Sequence, residues 1–254
     1  MLGLWRNKTE KPTVSADFQR ALTQQILRTE LIRIKALIGT TVLIGALILI
    51  VHVFDPNAIQ KLWHGRFNPN ELFIVLCPFV LFELWVHSVI TRHLDENRDL
   101  PVYRRYMGAL VETSMPTAAL AMHIDTMGPV DALGFAVPLT YFIFIILSTL
   151  RLDFWLSTFT GFVAAAQLLA MAMLYHRAGS ADPPPDLYFH AVRSVIILIC
   201  GMLAGAVGVQ LRRQFEASIL AATARDRITN LFGQHVSPQV VERLMLEGLS
   251  LIHI

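Results

Sequence analysis

The chain has 254 residues, of which 54% are hydrophobic and 16% charged, with a formal net charge of +2 and a mean hydropathy of +0.53. That balance excludes a soluble globular domain, which carries far more charge, and makes the lipid bilayer the first expected partner; no nucleic acid is expected. Cys77 and Cys200 both fall in apolar runs, where a disulfide framework has no role and thiols pack as small apolar groups.

A polar, basic arm over residues 1–35 comes first. A removable signal peptide would place an apolar core of roughly 7 to 15 residues near the start, so the first apolar run is expected to be retained. Within the arm, Val14, Phe18, Leu22 and Ile26 recur at helical spacing among Arg and Gln. That pattern predicts an interfacial helix lying along the inner membrane surface before the chain turns inward. Spanning hydrocarbon needs about 20 apolar residues per helix, and six stretches within 36–211 meet that test: 36–54, 71–90, 107–127, 130–150, 152–175 and 187–211. The expected fold is all-α, a polytopic six-transmembrane-helix bundle. Spans four and five are joined by little more than Arg151, which predicts a tight antiparallel hairpin, and Pro78, Pro116 and Pro138 stand where they could kink spans two, three and four. The loop after span five contains Pro183, Pro184 and Pro185, a stiff connection.

Beyond span six, residues 212–248 read as a cytoplasmic signalling helix and a linker. Phe215, Ile219 and Ala222 keep helical spacing, and neither Pro nor Gly interrupts the run before Gly233, so one rod continuous with span six is predicted. Gly233 is a natural helix stop. Ser237 and Pro238 suit the N-cap and first position of a second, short helix, with Val240, Val241 and Leu244 as its apolar face and Gly248 as its end.

Lys and Arg flanking membrane spans are held on the cytoplasmic side. The arm carries seven such residues from Arg6 to Lys35, the loop after span two carries Arg92, Arg98, Arg104 and Arg105, and Arg151, Arg212, Arg213, Arg225 and Arg227 follow on the same side. The opposite side has only Lys61, Arg66 and Arg177. The expected placement is therefore the cell inner (plasma) membrane, multi-pass, with both termini cytoplasmic.

Ionisable residues inside spans cost on the order of 3 kcal/mol on insertion scales and are functional candidates for that reason. Depth sorts them into an inner set, Glu83, His87 and Glu112, and an outer set, Glu71, His123, Asp125, Asp131, His190 and Arg193. The outer set could form a ligand or ion pocket, or an ion pair such as Arg193 with Asp125 that only orients two spans. No ligand spacing specifies a metal at His123 and His190, and none is expected. The inner set fits a proton path, but a transporter would show related halves and broken helices, and neither is expected here. Gly201, Gly205 and Gly208 in span six permit close backbone approach, either between two subunits or within one.

The run Arg227, Leu231, Phe232, Gly233, Val236, Ser237, Pro238, Val240, Val241, Glu242 and Leu244 resembles the segment preceding the catalytic domain in bacterial class III adenylate/guanylate cyclases, and the six-span layout is similar to membrane-anchored members of that family. The resemblance implies a full-length enzyme that converts ATP to cyclic AMP in signal transduction, active as a homodimer, with Mg or Mn held by paired aspartates. No catalytic residue of the family falls within these 254 residues, so the fragment is expected to need no cofactor and to be inactive by itself. Residues 249–254, LSLIHI, depart from the charged linker and strand of the family and read as a truncated or non-native tail. A rival reading makes His235 the phosphoacceptor of a sensor histidine kinase, but that box runs His-Glu-x-x-x-Pro, whereas Val236, Ser237 and Pro238 follow here. A passive anchor and dimerisation device is the third reading, and the ligand of a sensory one is unnamed by the sequence.

Overall fold

In the computed structural model, the described residues are 10–63, 65–96, 100–177 and 186–235, with side chains over 18–63, 65–96, 100–176 and 186–225. All the regular elements among them are helical: α1 (Glu10–Phe54), α2 (Pro56–Leu62), α3 (Pro69–Asp95), α4 (Val102–Met127), α5 (Pro129–Gly134), α6 (Thr140–Ser148), α7 (Phe154–Arg177) and α8 (Leu187–His235). Single 3₁₀ turns at Val137–Leu139 and Thr149–Arg151 flank α6. The chain divides into two compact units, one of Thr23–Arg212 and one combining Met1–Leu22 with Arg213–Ile254. The second unit's described part is the opening of α1 and the end of α8, and all the side-chain geometry below belongs to the first.

Five segments are long and apolar enough to cross a membrane: Phe18–Phe54, Pro69–Asp95, Pro129–Arg151, Phe154–His176 and Leu187–Arg225. The third expected span, α4, has the length, about 39 Å at 1.5 Å per residue, but not the composition. Its mid-helix polar side chains Glu112, Thr113, Ser114 and Thr117 are covered by protein, because α4 packs against α3, α5, α6 and α7. Thr117 Oγ1 lies 2.6 Å from Gln167 Oε1 and 2.7 Å from the Tyr141 hydroxyl, while Gln167 Nε2 donates to Ser114 Oγ at 2.7 Å. Around this network Leu120, Ile124, Leu133, Tyr141, Leu168 and Ile197 form the main buried core.

Three expectations are corrected. The arm does not form a separate interfacial helix that turns at Lys35: α1 runs unbroken, and Leu27 and Ile34 are buried with Ile90 of α3, so this part of the arm packs on protein. Span four is not one helix. It breaks at Phe135 and Ala136 and resumes through the 3₁₀ turn containing Pro138, whose ring nitrogen has no hydrogen to donate. Gly233 does not stop α8, which continues to His235. By contrast, Pro78 and Pro116 sit inside the continuous helices α3 and α4. The hairpin at Arg151 is as tight as its length predicts, turning on Leu152, a buried non-glycine residue at φ +56°. Ser237, Pro238, Val240, Val241, Glu242 and Leu244 lie outside the described residues.

Candidate functional site

The inner carboxylates form the first polar centre. Glu112, 3% exposed, receives two guanidinium groups: Arg33 of α1 binds it bidentately through Nη1 and Nη2, and Arg151 Nη2 donates to Glu112 Oε2 at 2.7 Å. Arg33 Nε also donates to Glu30 Oε2 at 2.7 Å, one turn earlier on α1. The chain of charges thus runs Glu30, Arg33, Glu112, Arg151 and ties α1 and α4 to the hairpin before α7. Arg151 and Arg105 complete it reciprocally, each donating to the other's backbone carbonyl at 3.2 and 3.0 Å. Buried ions persist only when paired and hydrogen-bonded in this way.

Glu83 joins the centre differently. It is fully buried, and neither carboxylate oxygen has a hydrogen-bond partner, yet it feels the charges of Glu112, Arg33, Arg151 and Glu30. Three carboxylates therefore stand beside two paired guanidiniums. His87, predicted at the same depth, is half-buried and makes no side-chain bond within the group among the described residues; only its carbonyl is engaged, accepting from Thr91 Oγ1 at 2.9 Å. A cavity of about 160 Å³ opens beside the centre, walled by Phe82, Trp85, Val86 and Ile90 of α3 and edged by Arg104 and Arg105. Sequence reasoning placed Glu83 and Glu112 here but missed Glu30, Arg33 and Arg151, which it read as arm and loop residues. The available signal was charge balance, since two carboxylates at one depth call for cations from elsewhere.

The outer residues do not form one cluster. Glu71 and His123 line the same small cavity of about 70 Å³, with Trp63, Phe67 and Asn68. A larger chamber of about 270 Å³ shares Trp63, His123 and Ala119 among others with it and is otherwise walled mostly by apolar residues such as Leu37, Phe135 and Phe144, with the threonines Thr40, Thr41 and Thr140. Between them stands a group of rings: Trp63 lies 5.2 Å from Phe67, 5.3 Å from Phe135 and 5.8 Å from His123, centroid to centroid. His190 and Arg193 are on α8. His190 is buried with its Nδ1 unpartnered. Arg193 does not pair with Asp125, which is exposed. It donates instead from Nη1 to the Leu133 carbonyl at 2.8 Å and sits 5.3 Å over the Phe189 ring. The reason is the break in span four: the end of α5 leaves carbonyls without intrahelical donors, and Arg193 supplies one from α8. Asp131 occupies the first turn of α5. No three His, Cys, Asp or Glu side chains are placed to share a metal ion among the described residues.

The glycines of α8 are occupied within the chain. A Cβ on Gly201 would come within 2.6 Å of the Gly161 Cα on α7, and one on Gly205 or Gly208 would meet the Phe154 or Thr149 carbonyl at 2.7 or 2.9 Å. Of the two sequence alternatives, packing inside one subunit is what this face does. Compared with known proteins, the chain matches no family model, no curated protein and no solved structure.

Proposed function

We propose that this chain is the membrane-embedded input region of a class III adenylate cyclase, a six-span domain of the inner membrane with both termini cytoplasmic. The observation that carries this reading is the pre-catalytic pattern from Arg227 to Leu244, whose residues up to His235 lie on α8 (Leu187–His235). Under this reading α4 is span three and brings the five apolar segments to six, its mid-helix polar side chains shielded by its neighbours, and α8 is the coupling element whose two arrangements a ligand would bias. The homodimer that class III catalysis requires would use faces other than Gly201, Gly205 and Gly208.

The coding DNA downstream of the Gly248 codon, read in all frames, tests the identity. An apolar strand leading to Phe-x-Asp supports the cyclase, and the ATP-binding boxes of a kinase overturn it. The input role is tested by joining residues 1–248 to an active class III catalytic domain in cells lacking their own cyclase. Cyclic AMP output should change when Glu112 or Arg33 is replaced; output identical to that of the same catalytic domain on an unrelated anchor would reduce the region to a tether.

A further inference from the structure

The larger chamber has a size and a chemistry that together define a ligand. Its volume of about 270 Å³ exceeds the engineered cavity of about 150 Å³ that accepts benzene, so a fused bicyclic ring or a ring with a short chain fits. Its lining contains no Asp, Glu, Lys or Arg. A charged body inside it would be stripped of water without compensation, which restricts the occupant to a neutral, apolar one.

Besides the Trp63 indole, the chamber's polar side chains are Thr40, Thr41, Thr140 and His123, and of these only the His123 ring offers a nitrogen lone pair. His123 Nδ1 lies 2.7 Å from the Ala119 carbonyl, and a carbonyl only accepts, so Nδ1 holds the hydrogen. Nε2 is left as a lone-pair acceptor, and no described residue donates to it. Thr140, also in the wall, has turned its hydroxyl hydrogen to the Val137 carbonyl at 2.6 Å. Part of the wall is irregular, because Phe135, Ala136 and Val137 are the residues where span four loses its helix. Irregular backbone at membrane depth is tolerated where it lines a cavity or is buried in protein, and such breaks frame the binding sites of other membrane proteins.

We infer that this chamber, between α1, α3, α4 and the break in span four, binds a neutral ring compound bearing a hydroxyl group, of the phenol class, which donates its hydrogen bond to His123 Nε2. The rings of Trp63 and Phe135 supply edge and face contacts to the ligand ring. The inference holds whichever output the chain serves.

The test uses the purified 254-residue chain in phosphatidylcholine nanodiscs, with 2-naphthol as probe and 2-methylnaphthalene as its counterpart of equal shape lacking the donor. Equilibrium dialysis against protein-free nanodiscs should give one saturable 2-naphthol site per chain. After correction for partitioning, 2-methylnaphthalene should bind about threefold to tenfold more weakly, the value of one hydrogen bond. His123→Leu should erase that difference and His123→Gln, which keeps an acceptor, should retain part of it, while Ala119→Phe should abolish binding by filling the chamber. Equal binding of the two probes to the unaltered chain overturns the inference, and this comparison stands even if His123→Leu fails to fold. Binding unchanged by Ala119→Phe overturns it too, as does a preference for 1-naphthylmethylammonium that Glu71→Gln removes, which would assign a cation site to the smaller cavity.

Discussion

Glu112 holds two guanidinium groups of separate origin, one from α1 and one from the hairpin after α6, so losing either leaves a buried charge instead of an empty space. Breaking a buried pair from one side costs about 3–5 kcal/mol, whereas apolar replacement of both partners is often neutral. Arg33→Met should therefore lower the thermal midpoint of the purified chain sharply, and adding Glu112→Leu should recover little of the loss, because Glu30 and Arg151 have then lost the charges they pair with. Glu83 behaves in the opposite sense. Its oxygens are buried without donors, a cost of about 1–3 kcal/mol, and Glu83→Leu should raise the thermal midpoint; a fall would mean that the carboxylate has a stabilising partner. At this scale the sequence was half legible. Carboxylates deep in an apolar run stand out, but an arginine three residues before a predicted span looks the same whether it faces water or, like Arg33, turns into the bundle.

Helix α4 is not among the five segments apolar enough to cross a membrane by length and composition, and its surroundings explain how its polar residues are accommodated. Glu112, Thr113 and Leu120 are buried while neighbours on α3, α5, α6 and α7 cover it, so its polar groups are matched to protein partners. The close crossing of α7 and α8 at Gly161 and Gly201 is equally specific. A Cβ there meets backbone, which cannot swing aside, and Gly201→Ala should destabilise by about 1–3 kcal/mol, the usual cost of overpacking. Cysteines placed at Leu211 or Phe215 to report subunit pairing should crosslink as well in a folded Gly201→Ala chain as in the original, since that face is filled from within. The glycine spacing was visible in the sequence, but its partner was not, because Gly161 lies in another span and no local pattern links the two.

At the scale of the whole chain, the all-helical class and the apolar segments were legible because about 20 consecutive apolar residues leave few alternatives. Interruptions were less so: Pro138 marked a kink in span four, yet the same residue type passes through α3 and α4 without ending them. Span number is open to direct measurement. If α4 crosses the bilayer with the five apolar segments, reporter domains fused at the N-terminus and after His235 should fall on the same side, and opposite sides would leave five crossings. The contact between Arg193 and the Leu133 carbonyl bears on what happens when that arrangement shifts. The guanidinium rides on α8, while its acceptor ends the short helix whose next residues wall the chamber. α8 therefore cannot turn about its axis by one residue, about 100°, without withdrawing the donor that completes α5. That single hydrogen bond is thus the link by which a change on α8 reaches the residues that wall the chamber.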